Sequence, residues 1–206
     1  NQGRIGRTRP ARDAVEMVAP DALGLLAALQ ANPAKFLADK KIAVTRVRKE
    51  IITLALVKLA ASDPEAAAKL IDKKWDFQLS AEERNWVWGV IGKQSALRLG
   101  NQNLDPLAYF DKVSADSDLN DDMLGWKTRA ALRAGKQPRW PLVLTSINAM
   151  SADARKDPTW VYWKARALSA LAPTQSANLM AAQRAEALAL LQSIASVRGF
   201  YEQLAL

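Results

Sequence analysis

The side chains that most often do chemistry are missing or scattered in this sequence. It has no His and no Cys. Histidine is the commonest general base and metal ligand, and thiolates are the other common zinc ligands. Ser-His-Asp, Cys-His and histidine-zinc chemistries are therefore excluded, along with any disulfide framework. Acid catalysis by a carboxyl group needs a raised pKa inside a cleft. Glu65, Glu82, Glu83 and Glu186 instead sit where a helix cap or a solvated helix face accounts for them. Asp116, Asp118, Asp121 and Asp122 approach calcium-loop composition but lack the Gly at the sixth position and the closing Glu. They are expected to cap the helix that follows. There is no GxxxxGK[ST] and no GxGxxG run to cradle a phosphate. No residue is assigned a catalytic, cofactor-binding or metal-binding role, and no cofactor is expected.

The basic residues and the tryptophans remain. The net charge is +8, a balance that attracts polyanions. Half of it belongs to Arg4, Arg7, Arg9 and Arg12, in an opening segment without acids that reads as a flexible tail. Lys40, Lys41, Arg46, Arg48 and Lys49 form a second cluster. It has no aromatic interleaving and no helix-turn-helix signature, so it reads as a solvated face, with contact to an anionic polymer as the lesser reading, and no nucleic-acid partner is expected. Trp140, between Pro138-Arg139 and Pro141, can be read as a carbohydrate-stacking residue or as a hydrophobic staple at a helix start.

These residues need elements to hold them, and the pattern is helical throughout. Ala and Leu dominate, and no period-2 alternation appears. A first helix is expected over 12–29, weakened by Pro20 and Gly24, and a short one from Asn32-Pro33 to about Lys40. Thr45–Ala61 follows, with Val47, Ile51, Leu54 and Val57 or Lys58 as its stripe. Asp63-Pro64, Asp105-Pro106 and Asp157-Pro158 each join an N-cap Asp to a Pro in the first turn. Ser80 and Glu83 form a capping box for a helix carrying Trp86, Val87, Val90, Ile91 and Leu97 and stopping at Gly100. Asn120 begins a helix that ends at Gly135, and Pro141 one that runs to Met150. Residues 172–178 read as a loop, 179–197 as a helix with Leu188, Leu191 and Ile194 inward, and 199–206 as the first turns of another. No run reaches the ~18 apolar residues of a membrane span, and residues 1–12 lack the apolar region of a signal peptide.

Trp88, Trp126 and Trp163 lie 38 and 37 residues apart. Around the last two, Trp126-Lys127-Thr128-Arg129-Ala130 matches Trp163-Lys164-Ala165-Arg166-Ala167. One long and one short helix per period is the signature of an α-solenoid. The expected fold is therefore all-α, a superhelix of stacked helix pairs of tetratricopeptide-like (TPR-like) type. It would occupy 13–206 behind a basic flexible segment at 1–12, with sub-stacks at about 13–78 and 79–206. The tryptophans are expected to be core, with Trp163 and Ala167 packing between layers.

The run Trp160-Val161-Tyr162-Trp163-Lys164-Ala165-Arg166-Ala167-Leu168, then Ala187–Ile194, then Gly199-Phe200-Tyr201-Glu202-Gln203-Leu204-Ala205 resembles the superhelical domain of the soluble lytic murein transglycosylases of Gram-negative bacteria. The resemblance covers about residues 80–206. It implies a periplasmic chain belonging to an α-superhelix that a lysozyme-like catalytic domain follows. That family cleaves the MurNAc–GlcNAc bond of peptidoglycan with one catalytic Glu, leaving a 1,6-anhydro sugar, and is classed with lyases. The catalytic motifs, a Glu-Ser pair and a Gly-x-Met-Gln run, do not occur here. The implied role is a scaffold, inactive by itself, that holds peptidoglycan strands beside its own downstream catalytic domain. The other reading from the helix pairs is a TPR-like scaffold that binds proteins or peptides in its groove.

Overall fold

A computed structural model describes residues 22–38, 46–98, 100, 101 and 104–206. Among these residues every regular element is helical and there is no strand, so the expected all-α class holds. The basic opening segment, the start of the first expected helix, and Lys40 and Lys41 lie outside the described residues. Two compact units divide the chain, one up to Leu119 and one from Asn120 to Leu206.

In the first unit the helices are α1 (Ala22–Ala31), α2 (Pro33–Ala38), α3 (Arg46–Ser62), α4 (Pro64–Leu70), α5 (Ala81–Leu97) and α6 (Pro106–Phe110). The caps form as expected. Asp63 accepts the Ala66 amide at 2.9 Å, and Asp105 accepts those of Leu107 and Ala108. Ser80 and Glu83 close the reciprocal capping box, which satisfies two otherwise orphaned amides. After α4 the chain adds a single π-helical turn, Ile71–Trp75, that carries Ile71 and Trp75 into the core. Gly100, beyond the end of α5, takes a φ of +89°, a conformation that L side chains rarely adopt.

α3 is the centre of this unit, packed by α1, α2, α4 and α5. Neighbours on several sides correct the expected stripe. The buried residues are Ile51, Ile52, Thr53, Ala55, Leu56, Leu59 and Ala60, whereas Leu54 and Val57 are only partly covered. Exposed Lys58 donates to the Gln30 carbonyl at 2.6 Å, at the C-terminal end of α1, where a cation complements the helix dipole. On α5, Val87, Val90 and Ile91 are buried as expected, together with Trp88, but Trp86 is only half-buried and Leu97 is exposed in the last turn. Gly92 faces Phe110 of α6 so closely that an added Cβ would lie 2.9 Å from three ring carbons.

The second unit contains α7 (Asp121–Leu132), α8 (Trp140–Ala149), α9 (Pro158–Leu171), α10 (Ala177–Ile194) and α11 (Phe200–Leu204). Consecutive helices pack as antiparallel neighbours would, α7 on α8, α8 on α9 and α9 on α10, and α11 returns to α9. Asn120 caps α7 by accepting the Met123 amide at 2.8 Å, and Asp157 caps α9 by accepting that of Thr159 at 2.8 Å. α8 starts at Trp140, one residue before the expected Pro141. The expected loop at 172–178 begins with a 3-10 turn, Ala172–Thr174, and α10 starts at Ala177.

Two further expectations are corrected. Leu188 of α10 does not point inward but is 57% exposed. The buried residue of that helix is Ala187, which packs with Ala165 and Leu168 of α9 while Leu190 and Leu191 close around it. α10 is covered on one side only, so its inward face is narrow. The acids at 116–122 also serve another purpose than capping α7, which falls to Asn120. Asp118 accepts from Asn85 at 2.8 Å, and Asp121 takes both the amide and the hydroxyl of Ser151 at 2.7 Å. Asp121 and Asp122 still stand in the first turn of α7, where negative charge suits the dipole.

Candidate functional site

The carboxylates considered in the sequence are occupied structurally. Glu65 pairs with Lys69, Glu83 belongs to the capping box and Glu186 pairs with Lys164. Among the described residues no three of His, Cys, Asp and Glu are grouped to hold a metal ion. Of the basic cluster at 40–49, Arg46 pairs with Glu50 along α3 at 3.1 Å. Trp140 is half-buried as the first residue of α8.

The aromatic residues separate into two kinds. Trp75 and Trp88 are core, as expected. Trp88 stacks on Tyr109 at 6.2 Å, and Lys112 lies 5.6 Å over its ring. Trp126, Trp160 and Trp163 are not core: each is half-buried at the surface of the second unit. The buried face of α7 is Met123, Leu124, Lys127, Thr128 and Ala131, which leaves Trp126 on its outer flank.

Three surface side chains come together there. Gly125, buried in α7, has no Cβ, and Trp160 of α9 occupies the room: an added Cβ would lie 3.0 Å from the indole edge and 3.1 Å from an Arg129 nitrogen. Arg129, one turn after Trp126, lies over two indoles, 4.9 Å from the Trp126 ring centre and 5.0 Å from that of Trp160. A cation over an indole face is worth about 0.5–2 kcal/mol depending on its desolvation. Rings satisfy the charge but offer no in-plane acceptor. Among the described residues the guanidinium has no hydrogen bond and no ion pair.

The corresponding triad of the next repeat is built differently. Arg166 lies 5.7 Å over Tyr162 of its own helix and donates to the Tyr162 hydroxyl at 2.8 Å. Tyr162 meets Trp163 edge-on at 5.3 Å, and the Trp163 indole N–H donates to the Tyr201 hydroxyl of α11 at 3.4 Å. This cluster fastens α11 onto α9. Phe200, edge-on to Tyr201, is left 70% exposed. Ala167 is fully buried, and the expectation that Trp163 packs between layers is corrected, because it joins α9 to a short terminal helix. Sequence reasoning did not find the Trp126–Arg129–Trp160 group. Its one trace was the repeated Trp-Lys-x-Arg-Ala string.

No protein-family model matches the sequence, and neither does any curated protein. Solved structures do match in fold. An inactive variant of lytic transglycosylase Slt from Pseudomonas aeruginosa superposes with a TM-score of 0.63 at 24% identity, over 99% of this chain and 31% of its own. The 70 kDa soluble lytic transglycosylase of Escherichia coli does so with a TM-score of 0.61 at 18% identity, again over 99% of this chain and 31% of its own. The chain thus shares its all-α fold with just under a third of each of these proteins. No helix among the described residues is long and apolar enough to cross a membrane.

Proposed function

We propose that this chain is the helical scaffold of a periplasmic, murein-cleaving lytic transglycosylase, without catalytic power of its own. In this reading it holds or orients peptidoglycan strands for a catalytic domain that follows it. The observation that carries the reading is the fold match over 99% of the chain to two lytic transglycosylases. The Trp-rich helix, the Ala-Leu helix and the Phe-Tyr pair, here α9, α10 and α11, stand in the order the sequence resemblance implied. The net charge of +8 supports it as well, because peptidoglycan peptides carry carboxylates. The engagement of Glu65, Glu83 and Glu186 in caps and ion pairs agrees with chemistry done elsewhere.

Co-sedimentation of the purified chain with murein sacculi tests the binding role. Retention at low salt that weakens as salt rises is expected, since screening removes attraction between exposed charges. No retention at low salt would end the reading. Extending the chain past Leu206 in its gene and measuring muropeptide release tests the catalytic half. The longer protein is expected to release anhydro-muropeptides and the present chain none.

A further inference from the structure

We propose that Trp126, Arg129 and Trp160 form a binding site for a carboxylate. Resting on the function proposed above, we take its source to be the stem peptide of peptidoglycan. The reason is an imbalance in how Arg129 is satisfied. A guanidinium presents five N–H donors in a rigid plane, and two of them match a carboxylate side by side. Three other arginines use their donors, Arg84 on the Asp76 carbonyl, Arg98 on the Ala61 carbonyl and Arg166 on the Tyr162 hydroxyl, whereas Arg133, Arg184 and Arg198 are exposed. Arg129 is held by two indole rings and donates to nothing among the described residues. Asp157, the cap one turn before Trp160, spends its side chain on the Thr159 amide.

That arrangement suits an incoming anion in three ways. The rings restrict the guanidinium, so little side-chain entropy remains to be lost on binding. They keep part of it from water, which strengthens any charge-assisted bond it makes. The residue is only half-buried, so part of it stays within reach of a ligand. Gly125 makes the geometry possible, since any side chain there would press on both Trp160 and Arg129. Arg133, the exposed residue that ends α7 four positions on, adds positive charge nearby without being held by a ring.

The test uses the purified chain and a soluble disaccharide-tetrapeptide muropeptide, with binding read by calorimetry. A second probe is the same muropeptide with its carboxylates amidated. Arg129→Gln is expected to weaken binding of the acidic probe about tenfold or more, the usual effect of losing hydrogen bonds to a charged group. Arg129→Lys, which keeps the charge but loses the fork, should fall in between. Arg133→Gln removes the same charge nearby and should cost less than about threefold, as exposed charges contribute little. The amidated probe should bind the unaltered chain as weakly as the acidic probe binds Arg129→Gln. That arm requires no substitution, so it decides the matter if Arg129→Gln is poorly folded.

Equal losses in Arg129→Gln and Arg133→Gln, undiminished binding of the amidated probe, or no muropeptide binding at all would each overturn the site. The site and the scaffold function can fail separately. Sacculus retention that is unchanged in Arg129→Gln removes the site and leaves the function. Carboxylate-dependent muropeptide binding without sacculus retention leaves the site and removes the function.

Discussion

Gly92 in the first unit and Gly125 in the second do the same thing with opposite results. Each is a helical glycine whose missing Cβ admits an aromatic ring from another helix, Phe110 in one case and Trp160 in the other. Phe110 is completely buried, and its contact is hydrocarbon on hydrocarbon. Trp160 stays half-exposed and shares a cation with a second indole. The difference lies in what stands beside the ring. In the first unit α5 and α6 close over Phe110, so the close approach becomes core packing. In the second it happens at a surface, and a charged side chain fills the remaining space. A gap of one methyl group can thus serve stability or recognition, depending on whether the ring that enters it is covered.

The largest expected effect separates the two rings. Phe110→Ala should destabilise by about 3–5 kcal/mol, the usual cost of emptying a buried aromatic site. Trp160→Ala should cost less than half of that, because water already reaches the indole. Denaturant midpoints at constant m-value measure both, and equal losses would abolish the distinction between core ring and surface ring.

The glycines come next. Gly92→Ala overpacks against a ring that cannot leave, at about 1–3 kcal/mol, of which better helix propensity returns up to about 1 kcal/mol. A net loss is expected. Gly125→Ala meets an arginine tip and a ring edge that can both shift outward, so its stability should stay within about 1 kcal/mol of the parent. Its mark should be spectroscopic, a changed near-ultraviolet circular dichroism signal as Trp160 moves. A Gly125→Ala chain that unfolds as early as Gly92→Ala would show the second contact to be core packing after all.

Smaller effects are expected at the helix starts. Asp63→Ala and Asp157→Ala each remove an exposed cap that follows the same Asp-Pro design, and each should cost about 1 kcal/mol. Asp157 also sets the entry of α9, three residues before Trp160. Its loss should therefore alter the near-ultraviolet signal, which that of Asp63 should leave largely alone.

The smallest effect is a titration in the first unit. Burial first, then the charge of Glu65, raises the ionisation of the Tyr109 phenol above the ordinary range. The folded chain keeps this proton longer than the unfolded chain does. Stability from this group is complete below the unfolded phenol's pKa and is lost as pH rises through the folded one. Difference absorbance of phenolate should show one tyrosine ionising late, and Tyr109→Phe should remove that step.

What could be read in the sequence is what the chain settles within four residues. The Asp63, Asp105 and Asp157 caps, the Ser80–Glu83 box, and the stops at Gly100 and Gly135, with φ of +89° and +62°, depend on adjacent backbone alone. Faces were harder, because a helix's buried side depends on how many neighbours it acquires. α3 acquired several and turned Ile52, Ala55 and Leu56 inward, whereas α10 has one covered side and left Leu188 out. The acids at 116–122 were misread for a related reason. Asp118 bonds Asn85 and Asp121 bonds Ser151, partners 33 and 30 residues away. The Trp126–Arg129–Trp160 group combines both difficulties. Its rings come from two helices, and the residue that permits it, Gly125, carries no side chain to give it away.

The fully buried alanines give this chain an uncommon pattern of mutational risk. Ala55, Ala60, Ala67, Ala131, Ala165, Ala167 and Ala172 are all completely enclosed. Most cores are damaged chiefly by losing volume, but an enclosed alanine has almost none to lose and no space in which to grow. Even a change to Val or Thr at these positions must push neighbouring helices apart, at about 1–3 kcal/mol. Among relatives of this chain, such positions should drift between Ala, Gly and Ser while the large apolar residues around them exchange more freely.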